Sequence, residues 1–103
     1  MILAVSINAQ EDETEKTKSF RELFTESAYH MEYESFNLAL PILLEMEKLE
    51  PDNANIQYRV GYSYLKFADN KAAAIPHFEK AIQQTVKNYD DLSFPEKNAP
   101  IRA

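Results

Sequence analysis

Apolar residues recur at helical spacing along the central part of the chain. From Phe20 onward they return every three or four positions, which is the period of one face of an α-helix. The first stripe predicts a helix from about Ser19 to Tyr33. A second stripe ends at Pro51, where a Pro-Asp-Asn sequence supplies stop and turn residues. Together the two stripes predict a helical hairpin over residues 19–53.

A second hairpin is predicted over residues 54–86. Its first helix carries an apolar face over residues 56–67, and a turn follows at residues 68–70. Its second helix carries an apolar face over residues 74–86. The predicted fold class is therefore all-α, with two helical hairpins one after the other.

The two hairpins repeat in sequence. A shift of 35 residues (39 to 74) superimposes these pairs: Tyr29 and Tyr64, Ala39 and Ala74, Leu40 and Ile75, Pro41 and Pro76, and Leu43 and Phe78. A small residue lets two helices approach closely, and the large residue four positions later fills the groove beside it. The paired prolines fall inside predicted helices, which leaves two explanations open: a shared kink, or a helix that starts late.

A helix-turn-helix unit of this length resembles the tetratricopeptide repeat. Val60 and Gly61 stand at the Leu-Gly positions of that repeat, whereas the first hairpin departs from it at Glu26, Ser27 and His30. The resemblance implies an α-solenoid, of which this chain would hold two hairpins of a longer array. The repeat-packing residues that it implies are Ala39, Leu43, Pro51, Gly61, Tyr64, Ala74, Phe78 and Ala81.

In such an array the hairpins stack and curve, so that the first helix of each lines a concave groove. Such a groove suits an extended segment or a helix of a protein partner. The residues predicted to face it are Asn55, Tyr58, Arg59, Tyr62 and Lys66. Tyr and Arg are enriched among binding hot spots, but an alternative stays open in which Tyr58 and Tyr62 pack on the next hairpin. The tyrosines stand where the carboxylate clamp of chaperone-binding repeats has Lys and Asn, so a Glu-Glu-Val-Asp peptide is not the expected ligand.

Both ends of the chain differ from the helical centre. Residues 1–9 are uncharged and mostly apolar, and an acidic linker follows at residues 10–18. This contrast indicates the clipped tail of a secretory signal peptide, although the Lys/Arg start is missing. The alternative is a strand or short helix that packs on the domain, and the stretch is too short to span a bilayer.

Residues 87–103 are predicted to be a connector and the start of a third repeat. Pro100 is placed to open a helix, because a proline at the first helical position loses no hydrogen bond. Since about three repeats are usually needed for stability, two hairpins predict a piece of a longer array. The apolar faces of residues 74–86 are then expected to be exposed, unless one end of the chain folds back over them.

A narrower resemblance concerns segments 34–41, 49–58 and 74–81. They are similar to the N-terminal repeats of large exported Bacteroidetes envelope proteins. In that family the repeats precede a β-propeller and an OmpA-like peptidoglycan-binding domain, and some members belong to the type IX secretion and gliding machinery. The resemblance implies a periplasmic or outer-membrane-associated scaffold, with any peptidoglycan association residing in domains absent from this chain. A small self-contained adaptor or chaperone stays open as the alternative.

Charge and composition narrow the classes of partner. Seventeen acidic against eleven basic residues give a net charge of −6, which repels nucleic acid and anionic membranes and favours a protein partner or a cationic ligand. The chain has no cysteine, which excludes disulfides, thiol nucleophiles and cysteine-ligated metals. Its single glycine, Gly61, leaves no glycine-rich phosphate loop.

Candidate catalytic and metal-ligating residues are few. Apart from Glu34 after His30, neither histidine is followed at i+3 or i+4 by the second His, Asp or Glu of a helical zinc motif. We expect a partly buried His30 and an exposed His77. The acidic residues at the end of the first hairpin are Glu45, Glu47, Glu50 and Asp52. We expect them to be a solvated face, with an acid–base enzyme as the alternative. The sequence predicts no enzyme, no cofactor, no metal and no small-molecule substrate.

Overall fold

The computed structural model of the protein describes residues 18–87, 89–91, 93 and 95–100. The elements in this part of the chain are α1 (Phe20–Glu32), α2 (Phe36–Leu49), α3 (Ala54–Ala68), α4 (Lys71–Ala81), β1 (Thr85–Val86) and β2 (Ala99–Pro100). The predicted predominance of helix is confirmed. The signal-like segment 1–9 and most of the acidic linker 10–18 lie outside the described residues, as do residues 101–103.

Side chains and main-chain turns define both ends of α1. The Ser19 hydroxyl accepts the N–H of Glu22 at 3.1 Å, and the Glu22 carboxylate accepts the N–H of Ser19 at 2.8 Å, which forms a capping box. At the other end the Ser35 N–H donates to the His30 carbonyl at 2.7 Å. This is a Schellman-type turn, and its left-handed residue is Glu34, with φ 58°.

Each helix packs on the next one along the chain, so that the chain forms two successive hairpins. Helix α3 begins 34 residues after α1 (20 to 54), and α4 begins 35 residues after α2 (36 to 71). The main core lies between α1, α2 and α3, and its buried residues are Leu23, Phe24, Ala39, Leu40, Leu43, Met46, Ile56 and Val60. No described helix is both long enough and apolar enough to cross a membrane.

The two repeated prolines lie at equivalent places inside helices. Pro41 is five residues after the first residue of α2 (36 to 41), and Pro76 is five residues after the first residue of α4 (71 to 76). A late helix start is therefore excluded as the reason for their repetition. Each proline removes one hydrogen bond from its helix and is exposed to solvent.

Gly61 allows α3 and α4 to approach closely. A Cβ at this position would lie 2.9 Å from Cε1 of Phe78 and 3.2 Å from the carbonyl oxygen of Ala74. The other residues that the repeat pattern assigns to packing differ in how deeply they are buried. Ala39, Leu43, Ala74 and Ala81 are buried with Gly61, whereas Tyr64 and Phe78 are half-buried and Pro51 is exposed.

The chain after Ala81 differs from the sequence-based expectation. Helix α4 ends at Ala81, although the apolar pattern predicts a helix to Val86. Val86 and Pro100 instead pair in the parallel strands β1 and β2, so Pro100 does not begin a helix. The physical reason is a fold-back of the C-terminal segment, which buries Ala99 against Ala54 and Ala81.

Candidate functional site

A C-terminal segment covers part of α3. We call this segment the tail; it comprises the described residues 89–91, 93 and 95–100. The N–H of Asn55 donates to the Lys97 carbonyl at 3.2 Å, and its side-chain Nδ2 donates to the Glu96 carbonyl at 3.2 Å. The Tyr89 hydroxyl donates to Oδ1 of Asn55. A single residue near the start of α3 thus binds the tail at three places.

Arg59 connects the tail to α1. The residue is buried, with only 3% of its surface exposed. Nε donates to Oδ1 of Asn55 at 3.2 Å, Nη2 donates to the carbonyl of Asp91, and Nη1 lies 3.8 Å from the sulfur of Met31. The guanidinium also stacks 4.7 Å from the ring centroid of Phe24. These neutral partners replace water around a buried charge that has no ion pair among the described residues.

The five residues that the sequence assigns to an outward groove have three different surroundings. Asn55 and Arg59 are buried, Tyr58 and Tyr62 are half-buried, and Lys66 is exposed. The expectation that Asn55 and Arg59 face outward is wrong, because the tail covers them. Helical periodicity gives the face on which a residue lies, but not what another part of the chain places over that face.

A cleft of about 760 Å³ remains beside the tail. It lies between the end of α1, the exposed side of α3 and the tail. The described residues that line it are Ala28, Met31, Glu32, Glu34, Phe36, Tyr58, Arg59, Tyr62, Tyr89, Asp91 and Pro100. The cleft therefore contains three of the five residues that the sequence predicts for a binding groove, together with residues from α1 and the tail.

Aromatic rings form one wall of this cleft. The ring of Tyr58 lies 5.9 Å from that of Tyr62 and 6.1 Å from that of Tyr89. Phe36 packs edge-on against Tyr62, with centroids 5.5 Å apart. Lys66 places its ammonium 5.6 Å from the Tyr62 centroid. The rings support one another in fixed positions, and Tyr62 already attracts one cation of the chain itself.

The rim of the cleft is acidic. Glu32, Glu34 and Asp91 are exposed, and their carboxylates make no ion pair within the described part of the chain. Burial raises the pKa of the Tyr58 and Tyr89 phenols above their usual 10.0. Both tyrosines are therefore neutral at physiological pH and keep their hydroxyl protons as hydrogen-bond donors.

A second polar cluster joins α2, α3 and α4. Gln57 Nε2 donates to Glu47 at 3.0 Å and to the Pro51 carbonyl at 2.9 Å, and its Oε1 lies 2.7 Å from Nδ1 of His77. The His77 ring stacks on that of Tyr64, with centroids 5.7 Å apart. His77 is therefore half-buried, and its expected exposure is wrong. The described residues contain no group of three or more His, Asp or Glu that could hold a metal ion.

Sequence reasoning missed the residues that complete the cleft. Glu32 ends α1, Glu34 lies in the turn that follows, and Phe36 begins α2. Tyr89 and Asp91 come from the tail. The two tail residues stand in an irregular segment, where no periodicity indicates which side chains turn inward. The sequence contains one indirect indication of an acidic site. The chain has more acidic than basic residues, which favours a cationic ligand.

Comparisons of the chain with family models, with curated proteins and with solved structures give no match. The resemblance to tetratricopeptide repeats and to envelope proteins therefore stays a prediction from sequence. The functional argument depends on the cleft and on the residues that form it.

Proposed function

We propose that the chain is a non-catalytic protein-interaction module whose cleft binds a segment of a protein partner. The observation that carries this proposal is the cleft of about 760 Å³ between the end of α1, α3 and the tail. Binding sites are concave and combine apolar surface with a few placed polar groups. Here the rings of Phe36, Tyr58 and Tyr62 supply the apolar surface, and the rim carboxylates supply the polar groups. Tyrosine rings contribute large contact areas with little loss of side-chain entropy.

We further propose that the two hairpins are tetratricopeptide-like units of an α-solenoid. Three features support this proposal: the spacing of 34 and 35 residues between equivalent helices, the equivalent positions of Pro41 and Pro76, and the close approach at Gly61. In a solenoid the first helix of each unit contributes to the binding surface. Helix α3 is the first helix of the second hairpin, and it contributes Tyr58 and Tyr62 to the cleft.

For the location of the protein we propose the cell envelope, as a scaffold of an exported protein. Its support is the signal-like character of residues 1–9 and the sequence resemblance to exported envelope proteins. Association with peptidoglycan or with a secretion machinery would reside in domains beyond this chain. Cell fractionation of the full-length protein tests this location, and recovery in the cytoplasmic fraction alone would contradict it.

One observation favours a second candidate, a small self-contained adaptor or chaperone. The tail covers α3 and buries Ala99 against Ala54 and Ala81, so part of the second hairpin needs no further repeat to cover it. If the protein is such an adaptor or chaperone, the same cleft binds the partner, but the protein is not exported. The fractionation experiment distinguishes the two locations.

Affinity capture with matched variants tests the interaction module itself. The bait is the native chain, the cleft variant Tyr62→Ala, or the control Tyr29→Ala, whose exposed ring lies outside the cleft. We expect a partner that the native chain and Tyr29→Ala both retain and that Tyr62→Ala loses. Equal recovery of the same proteins by all three baits would contradict binding in the cleft.

A further inference from the structure

The surface that a ligand meets in the cleft is aromatic and acidic. Glu32, Glu34 and Asp91 expose their side chains at the rim, and Tyr62 exposes part of its ring. The three carboxylates have no cationic partner among the described residues. They surround a concave surface instead of being spread over a convex one, so that a single ligand can approach all three.

The basic residue of the lining does not reverse this charge. Arg59 is 3% exposed, and its guanidinium is already occupied by Asn55, the Asp91 carbonyl and the Phe24 ring. A ligand anion would have to displace those contacts to reach the guanidinium. The exposed Lys66 ammonium beside Tyr62 adds one accessible positive charge. Three exposed carboxylates against this ammonium and one buried guanidinium leave the accessible cleft negative.

We propose that the cleft takes a lysine or arginine side chain of the partner segment, an inference that rests on the proposed function. The alkyl stem of such a side chain packs along the tyrosine rings, and its cation lies between a ring face and the rim carboxylates. A cation within about 6 Å of a tyrosine centroid is attracted by the ring, more strongly when water is excluded. Lys66, 5.6 Å from the Tyr62 centroid, shows this geometry within the chain.

Other classes of occupant fit the cleft less well. An acidic segment would meet three carboxylates of like charge, which raises the cost of binding. A wholly apolar segment would remove water from those carboxylates without providing a partner, which also costs free energy. A basic segment satisfies both the rings and the carboxylates, and the net charge of −6 attracts it from a distance.

Binding of short synthetic peptides to the intact chain tests the proposal. Four peptides share a glycine and serine frame that carries repeated lysine, arginine, glutamate or norleucine, with both ends blocked. Calorimetry or fluorescence anisotropy at low ionic strength measures each affinity. We expect binding of the lysine and arginine peptides, and we expect it to weaken with added salt because both partners are charged.

Matched variants locate the binding. For the lysine peptide we expect Tyr62→Ala to weaken affinity about tenfold through loss of the ring, and Glu34→Gln to weaken it about threefold through loss of one carboxylate. The controls are Tyr29→Ala and Glu45→Gln, an exposed ring and an exposed carboxylate outside the cleft. Both controls are expected to bind like the native chain. Circular dichroism confirms that each variant keeps its helices.

The outcomes separate this inference from the proposed function. Suppose that the glutamate or norleucine peptide binds and that Tyr62→Ala loses this binding. That result would contradict the proposal that the occupant is basic, but it would still support a binding site in the cleft. If Glu45→Gln weakens the affinity for the lysine peptide as much as Glu34→Gln does, the peptide is attracted by the overall acidic charge and not by the cleft. That result also overturns the inference. Absence of binding by all four peptides would contradict both proposals.

Discussion

Within the described part of the chain, two acidic residues hold left-handed backbone conformations. Glu34 has φ 58° and Asp69 has φ 49°. Each follows a helix, at a position where glycine is the usual residue because a side chain there is strained. Glu34 lines the cleft, whereas Asp69 does not. The pair therefore offers a comparison between a strained carboxylate inside the proposed site and one outside it.

We expect Glu34→Gly to stabilise the fold and to weaken binding. Relief of the left-handed strain stabilises the folded state by about 1 kcal/mol. The greater conformational freedom of glycine in the unfolded chain offsets part of this gain. The same substitution removes a rim carboxylate, so the lysine peptide should bind more weakly. Urea unfolding and peptide titration measure the two effects. Asp69→Gly should gain similar stability without any loss of affinity, and an equal loss in both variants would contradict the role of Glu34.

Helices α3 and α4 pack closely at Gly61, where the glycine leaves no room for a side chain. A methyl group at this position would enter the space of the Phe78 ring and approach the Ala74 carbonyl. We expect Gly61→Ala to lower the free energy of unfolding by about 1 kcal/mol, because overpacking outweighs the better helix propensity of alanine. Chemical denaturation measures the change.

The double variant Gly61→Ala/Phe78→Leu identifies the clash. Leucine lacks the ring that the new methyl group would meet, so Gly61→Ala should cost less in that background. An equal cost in both backgrounds would show that the Phe78 ring is not the obstacle.

The attachment of the tail depends on Asn55. Its side chain donates to the Glu96 carbonyl and accepts from Tyr89 and Arg59. We expect Asn55→Ala to destabilise by about 1–3 kcal/mol, since it leaves polar partners unpaired. Hydrogen exchange of the Ala99 N–H, which bonds to the Gln84 carbonyl at 2.8 Å, should accelerate. The exposed Asn37 provides the control, and equal acceleration in Asn37→Ala would contradict the role of Asn55.

The helices could be predicted from sequence, but the cleft could not. The four helices follow from the spacing of apolar residues, and the start of α1 follows from Ser19 and Glu22. The end of α4 depends instead on the pairing of β1 with β2, in which Thr85 lies opposite Ala99, fourteen residues later in the chain (85 to 99). The burial of Arg59 and His77 likewise depends on distant contacts, with the Asp91 carbonyl and with Gln57. No local pattern carries that information.

At the scale of the whole molecule, the tail should loosen at alkaline pH. Burial raises the pKa of Tyr58 and of Tyr89 above 10.0, so the folded chain holds these protons more tightly than the unfolded chain does. The stability that they contribute is full below pH 10.0 and is lost as the pH rises through their folded pKa values. We expect the free energy of unfolding to fall across that range.

Denaturant unfolding at a series of alkaline pH values measures this decline. The variant Tyr58→Phe/Tyr89→Phe lacks both phenols, so its stability should fall less steeply with pH, even where its stability at neutral pH is lower. The same slope in the variant and in the native chain would contradict the contribution of these two tyrosines.

The central claim is that one cleft, formed by the end of α1, α3 and the tail, binds a basic segment of a partner. Nuclear magnetic resonance of the isotope-labelled chain during titration with the lysine peptide tests it most directly. Saturable changes in amide shifts concentrated at residues 28–36, 58–62 and 89–91 are the expected result. Changes spread evenly over the acidic surface, or concentrated on the exposed side of α4, would contradict the claim.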